Sequence, residues 1–212
     1  MKSNKYYYFL IILVLFIYTS CKNGNKQEVN TVIDDSTIIK MYLKDIEIRE
    51  LDAKYDTINL EVYDKIHRDK VLNMLANNQV KTPMDKYRAA LILQHTAGKI
   101  CDGQLTSVSP ENFLLAFHLS SSALSQLKLQ NDTLTIKKNY VPRMVALNYD
   151  RYLLFTSGYQ KFGTQFVFDD KTGKMLLAPV DTTLSNDKER KEYNVESLKY
   201  LLSKFKMKQL IK

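Results

Sequence analysis

The chain is 212 residues long, with no tryptophan, two cysteines, four prolines and six glycines. Two cysteines cannot build a disulfide framework. Glycine is too sparse for a phosphate-cradling loop, and no RNA-type motif accompanies the lysines, which are dispersed rather than clustered. That dispersal reads as a solvated face, not a nucleic-acid surface. The three histidines, His67, His95 and His118, stand on separate segments without metal-ligand spacing, so neither a metal nor another cofactor is expected. No serine or cysteine falls in a recognisable nucleophile motif. The long apolar run, Tyr6 to Tyr18, is thirteen residues. A bilayer-spanning helix needs about 20.

What is present at the start of the chain is an export signal. Lys2 and Lys5 precede the apolar run, and the small residues Thr19 and Ser20 lead into Cys21. A cysteine directly after two small residues, followed by the polar stretch KNGNKQEVN, resembles the bacterial lipoprotein signal, with Tyr18 where leucine is commoner. The resemblance implies removal of residues 1–20, acylation of Cys21, and a flexible tether over 21–36. Lys22 stands where aspartate retains some lipoproteins at the inner membrane, so the resemblance implies an outer-membrane location in the cell envelope. Each buried lipid methylene contributes about 0.8 kcal/mol, so several chains on Cys21 anchor the protein without any membrane-binding surface on the domain. With Cys21 acylated, Cys101 has no partner for an intramolecular disulfide.

Lys2 and Lys5 account for two of the formal +8 charges, leaving +6 from Cys21 onward, much of it between Lys199 and Lys212. Residues 37–212 suffice for one domain with its own core.

Three prolines open helical patterns, where the first-turn amide lacks a partner anyway. Thr82-Pro83-Met84-Asp85 reads as an N-cap, N1 and acidic N3; Ser109-Pro110-Glu111-Asn112 repeats the logic, and Pro142 does so more weakly. Gly98 and Gly158 mark the expected helix stops. Helical spacing puts Phe113, Ala116, Phe117, Ala123, Leu124 and Leu127 on one face, and Val62, Ile66, Leu72 and Leu75 on one side of an earlier helix. With Ile38 to Leu51 as a first helix, four or five helices are expected before residue 158. Alternation then predicts a hairpin through Phe166, the turn residues DDKTG, and Lys174 to Ala178. A polar turn from Ser185 to Glu192 and a last helix capped by Asn194 complete the chain. The expected fold is mainly α: an array of antiparallel helices, loosely of the tetratricopeptide sort, with a C-terminal β-hairpin and closing helix.

Two places carry polar residues inside apolar helices. Gln94 and His95 end the helix from Asp85, and Asp150 with Arg151 interrupts Met144 to Phe155. Buried charges need partners. Gln160, Gly163, Thr164 and Gln165 follow closely enough to supply them, so one polar cluster is expected at the junction of helices and hairpin. At these residues the chain resembles an uncharacterised bacterial family, domain of unknown function 6624. The motifs are AALILQH at 89–95, NYDRYLL at 148–154, QKFGTQF at 160–166 and ERKEYNV at 189–195. The resemblance spans roughly 60–205, with Phe162 where tyrosine is usual, and implies no activity.

Three uses of such a cluster are open. It is a satisfied network that fixes helix packing; or a site where Arg151 and the Gly-Thr-Gln turn accept a carboxylate, a peptide end or an envelope protein; or an acid–base centre. In the last, His95 would be oriented by Asp150, with Arg151 holding an anionic group. A non-catalytic binding or structural role in the envelope is the favoured expectation, with an envelope hydrolase as the alternative.

Overall fold

The computed structural model describes residues 32–55, 59–101 and 104–208. The signal segment, Cys21 and most of the expected tether lie outside the described residues, as does the side chain of Cys101. From Ile33 onward the described residues form one compact unit.

The architecture is mainly helical, with eight helices among the described residues. They are α1 (Ser36–Tyr55), α2 (Leu60–Ala76), α3 (Pro83–Leu93), α4 (Glu111–Leu129), α5 (Thr133–Lys138), α6 (Val141–Ser157), α7 (Asp187–Glu192) and α8 (Leu198–Lys204). Two antiparallel hairpins interrupt them. One is β1 (Gly98–Cys101) with β2 (Gln104–Ser107); the other is β3 (Phe166–Asp169) with β4 (Lys174–Leu177). Six helices precede residue 158, more than expected, because the short α5 stands separately with its own Asp132 cap.

Helix α3 forms where its cap chemistry directs it. The Thr82 hydroxyl accepts the Asp85 amide at 3.0 Å, the Asp85 carboxylate accepts the Thr82 amide at 3.4 Å, and Pro83 stands just inside. The helix is buried nearly all round through Ala89, Ala90, Ile92 and Leu93. It packs between α1, α2 and α4, and α4 in turn packs on α6. Small residues serve both sides of α4: Ala116 is buried in the core shared with α3, Ala123 packs with Val141, Met144 and Val145 of α6, and Ser120 accepts from Asn148 of α6 at 3.4 Å. Gly158 closes α6 in the left-handed conformation, φ +78°.

Several expectations are corrected. Helix α3 stops at Leu93 and Gly98 instead opens β1, the start of a hairpin that periodicity did not reveal. Its signal was Asp102-Gly103, a pair favoured in two-residue connections. Pro110, not Ser109, occupies the cap position of α4. Ser185 to Glu192 contains a helix, capped by Asn186; the last helix is capped by Ser197, while Asn194 adopts φ +53°. The inward face of α2 carries Val71 and Met74, whereas Val62 and Ile66 are 52% and 57% exposed. The cause is polar: the same inward stripe continues through Asp64, His67 and Arg68, which are shielded although charged or polar.

The second hairpin gains a third layer. Leu177 exchanges backbone hydrogen bonds with Lys206 and Lys208 (2.9 and 2.8 Å), and Leu177, Val180 and Leu201 form a small core beside Phe166 and Phe205. This unit carries the loop Lys161–Thr164 against α6.

Candidate functional site

The polar residues expected to form one cluster divide into two groups. The first closes on itself. Asp150, fully buried in α6, accepts the amides of Lys161 and Phe162 on Oδ1 (2.7 Å each), and the amide and hydroxyl of Thr164 on Oδ2 (2.9 and 2.8 Å). Burial pushes its carboxyl up from the ordinary carboxylate range while these donors pull it back. Gln160, equally buried, donates to the carbonyls of Gln165 and Ala178 (2.9 Å each) and accepts the Gln165 amide at 2.7 Å. Gly163 turns the loop at φ +77°, where a Cβ would lie 2.8 Å from Leu201. Arg190 of α7, also buried, donates to the carbonyls of Phe162 and, at 3.3 Å, Lys161. Asp150, Gln160, Gly163 and Thr164 therefore shape the loop, and none of them lines the cavity that the second group forms.

The second group does. A cavity of about 320 Å³ opens beside the end of α3. Its polar wall is Arg49, Asp64, Gln94, His95, Arg151 and Gln165, and its apolar wall is formed by Phe113, Leu154, Phe155 and Phe166. Phe113 and Phe155 stack with centroids 5.3 Å apart.

His95 is paired with Asp45, not Asp150: Nδ1 lies 3.2 Å from Asp45 Oδ1. Burial pushes the imidazole down from its ordinary 6.5, against the pull of Asp45. It is neutral at pH 7, and Nε2 makes no hydrogen bond to a described residue. Burial raises Asp45, but the hydrogen bond to His95 and the Arg49 guanidinium outweigh it, so its carboxyl sits below the usual range. Arg68 donates to the His95 carbonyl and fixes the end of the helix.

Asp45, Asp64 and His95 bring ligand atoms within 4.8 Å of one another, a spacing compatible with a metal ion. Arg49 already fills the role of cation there, reaching Asp45 at 3.3 Å and Asp64 at 2.5 Å. Three guanidiniums, of Arg49, Arg68 and Arg151, surround two carboxylates, of Asp45 and Asp64. The excess is positive, and it favours an anion over a second cation.

Arg151 holds that excess. Its Nη1 donates to the Gln94 carbonyl at 2.7 Å and its Nε to Gln165 Oε1 at 3.2 Å, both neutral acceptors. Burial and the nearby Arg49 charge lower its pKa, which marks an unfavourable setting for a cation without a counter-charge. Beside it Gln94, 8% exposed, leaves Oε1 without a hydrogen-bond partner among the described residues.

Asp45, Arg49, Asp64 and Arg68 were missed by the sequence reading. A signal existed: Ile38, Met41, Asp45 and Ile48 share one buried stripe, and Asp45 is its one charge. His67 is half-buried with its Nδ1 unpartnered, and His118 is exposed; neither lines the cavity.

Comparison of the chain with protein-family models, curated proteins and solved structures finds no match.

Proposed function

We propose that this chain is a lipid-anchored protein of the bacterial envelope that binds a small anion in the cavity between His95 and Arg151 and releases it unchanged. The observation that carries the reading is Arg151, a shielded cation at a cavity wall whose partners among the described residues are all neutral. A charge so placed is costly until an anion joins it. The motifs shared with the unknown-function family support the same site, because the clamp around Asp150 holds Gln165 against Arg151 while Gln94 and His95 end α3 beside it. Membership of that family is part of the proposal.

The lipid anchor rests on the layout around Cys21. No described helix is long and apolar enough to cross a membrane, and the tether would place the domain near the outer membrane. Cys21→Ala is expected to yield a soluble exported protein that takes up no radioactive fatty acid; labelling that persists overturns the anchor.

The anion reading is tested by thermal unfolding in acetate and in phosphate. Wild type is expected to melt higher with rising anion while Arg151→Gln stays indifferent; equal responses overturn it.

A second reading has its own observation. With Nδ1 on Asp45 and Nε2 making no hydrogen bond to a described residue, neutral His95 is oriented as a general base. This is the hydrolase alternative with Asp45 in the place assigned to Asp150. It is distinguished by recovery of the ligand in altered form, a conversion that His95→Gln would abolish.

A further inference from the structure

Leu177 settles which way the backbone of β3 points. Its amide donates to the Lys206 carbonyl and its carbonyl accepts the Lys208 amide, so both groups turn away from β3. Leu177 is paired antiparallel with Phe166, and Met175 with Phe168. In an antiparallel ladder a pair either exchanges both hydrogen bonds or turns all its groups outward, and the two kinds alternate. Phe166 and Phe168 therefore turn their amides and carbonyls away from β4, while the Gln165 carbonyl accepts the Ala178 amide at 3.1 Å. On that outward side the backbone groups of Phe166 and Phe168 have no hydrogen-bond partner among the described residues. The open edge runs along the cavity. Phe166 and Val167, whose side chains point to opposite faces of the sheet, both line it together with Gln165, and no residue of β4 does. The cavity thus abuts the edge and not a face. Natural edges are blunted by charge, proline or a bulge. Its shortness apart, Phe166-Val167-Phe168 carries none of these, and Phe168 is 60% exposed. Arg151 stands where β3 begins, its Nε 3.2 Å from Gln165 Oε1.

We infer that the β3 edge takes the C-terminal segment of a partner polypeptide as an added antiparallel strand, with its terminal carboxylate in the cavity that Arg151 lines. Amide donors and carbonyl acceptors alternating at strand spacing are matched by another extended backbone and by few other ligands. Charge sets the sense of the pairing. A strand running against β3 ends where β3 begins, and that end of the edge holds the cation whose described partners are neutral. The volume of about 320 Å³ lies at the lower end for small-molecule sites, and holds the end of a chain rather than a folded element. Main-chain pairing supplies the affinity, and the exposed Phe168 ring offers a contact to one side chain of the added strand. This inference rests on the anion-binding reading and takes the anion to be a chain end.

The test is calorimetric titration of the full chain in detergent with an N-acetylated heptapeptide of alternating threonine and valine that ends in a free carboxylate. Three further probes are its C-terminal amide and two forms N-methylated on one or the other alternate set of backbone amides. The terminus fixes the register, so one set points at β3 and the other away from it. Methylation of one set is expected to weaken binding about tenfold or more, and of the other to change it by less than about twofold. The C-terminal amide should bind about tenfold more weakly than the carboxylate to wild type and equally to Arg151→Gln. Phe168→Pro removes an outward amide and leaves the β4 ladder intact, as proline on an edge strand does. It should weaken the peptide about tenfold while the circular dichroism stays native, whereas Phe168→Thr, which keeps the amide, should retain most of the affinity. If both methylated forms bind alike, strand addition is overturned, and acetate that still stabilises through Arg151 leaves the anion site standing. If the carboxylate and its amide bind alike, the chain end is not in the cavity and the inference falls. If acetate fails as well, both fall. Dimerisation of wild type in sedimentation that Phe168→Pro abolishes would make the occupant a second copy of this chain and overturn the partner assignment.

Discussion

Asp150 and Arg190 grip opposite edges of one loop. The carboxylate takes the amides of Lys161, Phe162 and Thr164, while the guanidinium donates to the carbonyls of Lys161 and Phe162. Both side chains are buried, and Arg190 Nε has no hydrogen-bond partner among the described residues. Charge attraction from Asp150 opposes the burial that lowers the Arg190 pKa, while the Asp150 carboxylate is itself held by the amides of Lys161, Phe162 and Thr164.

Removing the charge of Asp150 alone therefore breaks both sides. Asparagine keeps one acceptor oxygen and turns an NH2 group toward two donors that Asp150 now satisfies. Asp150→Asn is expected to cost about 3 kcal/mol, on the order of 10 °C in melting temperature for a domain of this size. Thermal unfolding by circular dichroism measures it, and a shift of one or two degrees would contradict the clamp.

Gly163 gives an independent measure of how tightly the loop is held. It and Gly173 both have positive φ, +77° and +64°, so alanine strains the backbone at either. They differ in surroundings: a Cβ on Gly163 meets Leu201 at 2.8 Å, whereas one on Gly173 meets nothing within 4 Å. Gly173→Ala should cost about 1 kcal/mol, and Gly163→Ala about 2 to 3 kcal/mol because overpacking is added. Equal losses in urea unfolding would mean that Leu201 yields freely.

How much of this the sequence disclosed depends on whether a residue's pattern agreed with its role. The cap of α3 was readable because Thr82, Pro83 and Asp85 each act locally. The second hairpin and Gly158 were readable for the same reason. Gln94, His95, Arg151 and Gln165 were recognised as interruptions of apolar helices or neighbours of such interruptions, and they do share a cavity wall. The pairing of His95 was not readable, since Asp45 lies fifty residues away on α1 and only tertiary packing joins them. On α2 the apolar periodicity misled because the buried stripe is polar in its first half. Asp64 and Arg68 face inward to serve the site, and Val62 and Ile66 are left outside.

The His95–Asp45 pair predicts a pH dependence with a definite sign. Burial holds His95 below 6.5, so under acid the unfolded chain takes up a proton before the folded one does. The stability it contributes is complete above 6.5 and is lost as pH falls toward its folded value. His67, also lowered by burial, acts in the same direction but is unchanged in a His95 variant. Asp34 and Asp45 sit below 3.8 and titrate beneath this window. Asp64 and Asp150, raised by burial, act in the opposite sense from 3.8 upward. The stability gap between wild type and His95→Gln should therefore narrow between about pH 7.5 and about pH 5. A widening gap in urea unfolding would mean that His95 is protonated against Asp45 in the folded protein.

Arg49 is the residue on which the cation balance of the site turns. Its guanidinium spans Asp45 and Asp64, whose oxygens lie with a His95 nitrogen inside 4.8 Å. As long as it is present, a divalent ion would have to displace a charged, hydrogen-bonded group to reach the carboxylates, and the wild-type melting temperature should not respond to zinc. Arg49→Ala removes the occupant and leaves two carboxylates and a neutral imidazole, an oxygen and nitrogen set that suits zinc. The variant should be less stable without metal, and zinc at about a hundredfold over its dissociation constant should restore about 2.7 kcal/mol. The effect should vanish in Arg49→Ala/His95→Gln, where the nitrogen ligand is gone. If wild type gains as much from zinc as Arg49→Ala does, the guanidinium is not the site's resident cation, and the charge excess assigned to Arg151 loses its basis.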